Sequence, residues 1–275
     1  MLNFSKVRVH LSDRTRFLAK LSTMSTPITQ TTYPGLSAPL YADLAHNVTG
    51  TAGRVVVGLN WTLVEGPDGT GLTHTPTRGT NGCRSLPDPG NYAGRDLADL
   101  TTLLQSDNVF EIAIAIAAAN AFHNRSGRTG TPQNGLDLVA ARGAKTVVIG
   151  RFPGLDTRLP GAAVIEREPG PDDYPESAAE TLLPECECLV ITASTLLDGA
   201  LPNLLALAPQ AFTVLLGPGT PLAFVLFEHG VDALSGVVVD DATALAQVIC
   251  EGGAVRTMKR HARNLTLLKS DQAAD

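Results

Sequence analysis

The chain has 275 residues, 44% hydrophobic and 17% charged, which describes a globular protein with room for one large domain or two modest ones. A formal net charge of −6 argues against a nucleic-acid binder, which needs a basic footprint. No apolar run reaches the roughly 18 residues of a spanning helix, and four cysteines without a secretory signal fit free thiols in a reducing cytoplasm, so no membrane partner is expected and the expected location is cytoplasmic.

The first 23 residues carry Lys6, Arg8, Arg14, Arg16 and Lys20 against Asp13 alone. Such a basic stretch reads either as a targeting peptide or as an extension from an upstream start, because Met24-Ser25-Thr26 resembles a natural beginning. The extension is the favoured reading, with residues 1–30 expected to be disordered. Helical spacing follows over 38–48. A β-branched run over 54–64 ends at the turn Glu65-Gly66-Pro67-Asp68-Gly69, and 71–75 can return as its hairpin partner. Residues 77–94 read as loop. Two helices are expected next, near 96–105 and over 109–122. The second is apolar on nearly every face, the pattern of a helix buried on all sides. Asn120 within it needs hydrogen-bond partners, either neighbouring backbone or a ligand at a domain junction.

The polar stretch 125–134 reads as an interdomain loop. Beyond it the strands fall into a βαβ rhythm: 145–149, 163–166, the run from Cys188 to Ile191, 212–216 and 236–239. Helices are expected over 175–183, from Thr220 to His229, and over 242–250 with Gly252-Gly253 as its stop. Short apolar strands separated by helices define a mainly parallel, Rossmann-like α/β sheet with helices on both faces. In such sheets ligands bind outside the carboxyl ends of the strands. The candidate ligand residues follow from that rule. Gly150, Arg151 and Phe152 follow one strand and Glu166 ends the next. Thr192, Ser194 and Thr195 follow the third. Gly217, Pro218, Gly219 and Thr220 follow the fourth, with Thr220 placed to cap a helix that starts at Pro221. Backbone amides of these last two turns are expected to face one shared hollow beside the leading domain.

A dinucleotide fingerprint, a nucleophile elbow and a zinc-type cysteine pattern are all missing. Cys186 and Cys188 read as ordinary cysteines, and His74 and His123 read as packed or surface residues within reach of the junction.

The runs ITASTLLDGALPNLLALAP and VLLGPGTPLAFVLFEHGVDALSGVVVDD resemble a family named for a proposed role in heavy-metal chelation, formerly a domain of unknown function. VVIGRFPGL, AVIEREP and DYPESAAETLLPECE are similar to the same family. GLNWTLVEGPDGTGLTHTP and AAANA resemble the domain that precedes it there. The resemblance covers about 40–253. It implies an enolase-N-terminal-like α+β domain over 31–125, a Rossmann-like domain over 126–255 and a C-terminal tail over 256–275, with a ligand cleft between the domains. Position by position, Thr195, Gly217, Pro218, Thr220 and Pro221 match the two loop motifs and Asn120 matches the helix. Asp198 stands where the family pattern has Asn, and Gly219 where it has Ser.

The resemblance implies a small anionic or metal-chelating ligand, and a chelated metal as the one cofactor to consider. A second expectation is an enzyme acting on a tetrapyrrole- or pterin-like molecule, with Glu166 or Asp198 as acid/base. A third is a structural or regulatory protein with a vestigial cleft. A homodimer fits a protein of this size.

Overall fold

The computed structural model describes residues 36–76 and 85–270. The expected extension over 1–30, Cys83 and the first part of the expected loop, 77–84, lie outside these residues. The described residues form one compact unit built from two sheets and the helix between them.

The smaller sheet is an antiparallel meander of β1 (Arg54–Val57), β2 (Trp61–Glu65) and β3 (Thr70–His74). The expected single strand over 54–64 is thus two strands, because the chain reverses at Gly58, whose N–H donates to the Trp61 carbonyl at 3.0 Å. α1 (Pro39–Ala45) precedes the meander, and α2 (Leu97–Thr101) and α3 (Val109–His123) follow it. Asn108 caps α3 by accepting from the Phe110 N–H at 3.0 Å.

α3 explains its own sequence. Residues 111–121 are all buried. Ile114, Ala117, Ala118 and Ala121 pack with Val64, Leu97 and Leu100 of the smaller module. Ile112, Ala113, Ile116 and Ala119 pack instead with Leu189, Ile191 and Leu215 of the larger sheet. A helix clamped between two cores has no wet side, so it has no polar stripe. Its alanines admit β3 at backbone distance. A Cβ on Gly71 would fall 1.9 Å from the Ala117 carbonyl oxygen, so only glycine fits that crossing.

The larger sheet has the order β10-β9-β8-β7-β4-β5-β6, parallel throughout except for the antiparallel β10–β9 pair. Its strands are β4 (Thr146–Ile149), β5 (Ala163–Glu166), β6 (Tyr174–Pro175), β7 (Cys188–Thr192), β8 (Phe212–Leu216), β9 (Ala233–Val239) and β10 (Ala262–Leu268). The central strands are buried on both faces, as their unbroken apolar runs require. Helices α4 (Gly135–Ala140), α5 (Leu155–Arg158), α6 (Ala179–Leu182), α7 (Leu201–Leu207), α8 (Ala242–Cys250) and α9 (Val255–Met258) complete the fold. The mixed α/β class and the mainly parallel sheet are as expected.

Two local expectations differ. No helix starts at Pro221; the chain stays irregular until a single 3-10 turn, Phe224–Phe227. Residues 256–275 are not simply a tail, because Ala262–Leu268 is the edge strand of the sheet. The stretch 125–134 is a loop, as expected, and it is held at one point: Thr131 and Thr266 exchange both backbone hydrogen bonds, at 3.0 and 2.8 Å.

Candidate functional site

The order of the larger sheet puts a switch point at β4, which has β5 on one side and β7 on the other. A crevice is expected outside the carboxyl ends of these strands. A cavity of about 660 Å³ opens there. It lies within the size range of small-molecule sites.

The floor is Ile149 and Ile165 from the ends of β4 and β5, with Leu197 and Leu204 beyond β7. Gly150 turns the chain away after β4 in a left-handed conformation, φ +88°. A Cβ there would meet the Thr192 side chain at 2.8 Å, so the turn and the close approach both require glycine. On the β7 side, Thr192 opens a 3-10 turn, Ala193–Leu196. The Thr195 hydroxyl donates back to the Thr192 carbonyl at 2.8 Å. Thr192, Ser194 and Thr195 therefore present a hydroxyl-bearing wall.

Charged groups form the rim, and most are already engaged. Glu166 accepts from the Arg151 N–H at 2.6 Å and from the Arg167 N–H at 3.2 Å, one on each oxygen. Asp198 accepts from the Ala200 N–H at 3.0 Å with Oδ1 and pairs with Arg167 through Oδ2. Arg167 also reaches Glu176 at 3.2 Å. Burial works against the Arg167 charge, and Asp198 and Glu176 more than offset it, so its pKa rises. Arg151 is shared between Asp173 and Asp156; hydrogen bonding to Asp173 raises its pKa, and Arg151 in turn holds the Asp173 carboxyl below its usual range. The smaller module contributes His74 and Pro76 from the end of β3, and Val109 from the start of α3. His74 meets Trp61 edge-on, with ring centroids 5.8 Å apart.

Of the sequence candidates, Gly150, Arg151, Glu166, Thr192, Ser194, Thr195 and Asp198 come together in this cavity. The others do not. Asn120 is wholly buried and donates to the Leu72 carbonyl at 2.7 Å and the Gly219 carbonyl at 2.9 Å. One turn later, Asn124 donates to the carbonyls of Thr220 and Val237, at 3.0 and 3.1 Å, and accepts from the Leu222 N–H at 2.8 Å. Asn120 thus ties the 219–222 loop to β3, and Asn124, the residue that follows α3, ties it to β9. That capture holds the loop out of a helix and puts Gly219 and Thr220 in the packed junction rather than at the cavity. Gly217, Pro218 and Phe152 line a different, smaller cavity. The turns after β7 and β8 thus do not share one hollow. Sequence reasoning did not single out Arg167, Glu176 or Asn203, although the position of Arg167 directly after Glu166 was a usable signal.

Among the described residues, no group of three or more His, Cys, Asp or Glu is placed to hold a metal ion. Cys186 and Cys188 are buried, and burial pushes both thiols up, away from the thiolate that a soft metal needs. His123 is half-buried beside the Leu44 carbonyl, 2.9 Å from Nε2. No helix among the described residues is long and apolar enough to cross a membrane.

These features define the class: a Rossmann-like α/β protein with a leading antiparallel module and a crevice at the switch point. Two family models match successive parts of the chain. The DUF364 model matches residues 134–267 and the DUF4213 model residues 41–123, each described as "Putative heavy-metal chelation". A DUF364 protein of unknown function from Desulfitobacterium hafniense DCB-2 is similar in structure, with a TM-score of 0.74 and 29% identity over 84% of this chain and 98% of that one. Another from Pyrococcus horikoshii shares the fold, with a TM-score of 0.70 and 20% identity over 83% and 98% of the two chains. No curated protein matches the chain.

Proposed function

We propose that the cavity outside β4, β5 and β7 binds a small metal-chelating molecule. The observation that carries this reading is the gathering of seven candidate residues around one 660 Å³ crevice at the switch point. The family description supports the chelation theme. The donor chemistry assigns the metal to the ligand rather than to the chain: the described carboxylates of the cavity are held by arginines and backbone amides, and no three-donor set stands among them. Binding is preferred to acid/base catalysis for the same reason, since Glu166 has an amide on each oxygen and Asp198 is tied to Arg167 and Ala200. In this reading residues 31–125 act as an enolase-N-terminal-like module that supplies one wall, a likeness supported by a meander followed by helices.

The test is native mass spectrometry with elemental analysis on protein isolated from its own host, alongside the variant Ser194→Phe, which fills the hydroxyl wall. The expected result is a retained small molecule on the wild type that the variant lacks. Equal retention by both, or thermal shifts with a panel of chelators that are the same for both, would refute the assignment.

A further inference from the structure

Phe152, Gly217 and Pro218 meet in a second cavity of about 160 Å³. It lies on the other face of the sheet from the crevice. Its Leu216 packs with the α4–α5 core, whereas Ile149 and Ile165 of the crevice face the core shared with α3. The cavity sits at the carboxyl end of β8, again where open α/β sheets take ligands. Its size is close to the roughly 150 Å³ of an engineered apolar cavity that takes up benzene. A single six-membered ring, or a branched acyl group of that bulk, therefore fills it.

The lining sets the charge of the guest. The walls are largely apolar, with Phe152, Val237, Val255 and Met258 among them, and Asn134, Ser235 and Asn264 are the uncharged polar side chains that join them. No Asp or Glu is among the described residues that line it, although the chain carries a net −6. Two cations do line it, Arg158 and Lys259. Arg158 shares its charge with Asp137 at 3.3 Å. Lys259 is exposed beside Arg256 and Arg260, in a stretch with no acidic residue from 252 to 269. With Arg158 offset by Asp137, Lys259 leaves the mouth of a largely apolar pocket basic, which favours a small anion with an apolar body.

We infer that this cavity is a binding site for a benzoate-sized carboxylate, with the ring between Phe152 and Met258 and the carboxylate toward Lys259. This site is separate from the crevice and does not depend on the reading of the crevice.

The experiment titrates the full chain with benzoate, benzyl alcohol and benzylammonium, followed by amide chemical shifts. Benzoate is expected to saturate, with shifts centred on 216–218 and 255–259. Benzyl alcohol is expected to bind about fivefold more weakly, the scale of one exposed ion pair, and benzylammonium not to saturate. Lys259→Glu, at an exposed position, is expected to weaken benzoate at least tenfold while leaving benzyl alcohol within twofold. Val255→Phe is expected to abolish both. Equal affinity for benzoate and benzyl alcohol, indifference of benzoate to Lys259→Glu, or shifts centred on the crevice would each overturn the assignment.

Discussion

Asn120 offers the sharpest test of how the two modules are joined. Its carboxamide nitrogen is the donor to two buried carbonyls, Leu72 of β3 and Gly219 of the loop after β8. Asn120→Ala leaves both carbonyls without that donor, and a buried unsatisfied group costs about 1–3 kcal/mol. The Asn120 Oδ1 atom has no hydrogen-bond partner among the described residues, so its removal returns part of the loss. The expected net destabilisation is about 2–4 kcal/mol. Asn120→Asp is more telling because it keeps the shape and changes only the donor. A carboxylate facing two carbonyl oxygens must hold a proton to stay there, so its folded pKa rises above the unfolded value of about 3.9. The folded state then binds more protons than the unfolded state, and the stability gap to wild type widens as pH climbs above about 4. The slope is about 1.4 kcal/mol per pH unit until the folded pKa is passed. Urea unfolding of wild type and both variants at pH 5 and pH 7 measures this. A loss below about 1 kcal/mol for Asn120→Ala, or a pH-independent gap for Asn120→Asp, would refute the clamp.

His123 is expected to weaken the protein in mild acid. Burial lowers its pKa from 6.5 to about 4, against the Leu44 carbonyl and with Arg128 and Arg125 adding to the fall. The unfolded state therefore takes a proton first, and stability is lost as pH falls from about 6.5 to about 4, by on the order of 3 kcal/mol. Thermal unfolding of wild type against His123→Gln across that window should show the slope only in the wild type; parallel curves would remove the argument. Gly71→Ala is expected to cost more than about 3 kcal/mol, because the added methyl has only the backbone of α3 to move. A melting temperature within 2 °C of wild type would mean that the crossing is looser than its geometry.

The strand rhythm of the larger sheet was legible because buried parallel strands must be apolar on both faces, and the runs at 145–149, 163–166, 188–191 and 212–216 have no other use. The all-apolar α3 was legible for the same reason. Sequence reasoning failed where distant groups overrode local chemistry. Gly217 to Pro221 carries a plausible cap and a proline at the first helical position, yet Asn120 and Asn124, about 100 residues upstream, bind the Gly219 and Thr220 carbonyls and the Leu222 N–H and hold the stretch on an irregular path. Edge strand β10 was missed because it follows a basic stretch and its buried part is short, with Thr266 between Leu265 and Leu267. The site was half legible. Position at strand ends identified the residues of the crevice, but nothing local revealed that the turn after β8 opens onto the opposite face of the sheet.

A boundary near residue 125 marks a change of topology, not a place where the chain can be cut. Severed there, the front half would present Ile112 and Ile116 to water, and the back half would uncover Leu189, Ile191 and Leu215. Each fragment would carry a greasy flank shaped for the other, prone to self-association or to reassembly when the two are mixed. Neither half is therefore a portable part, and any chain that keeps this helix has to keep both of the bodies it divides.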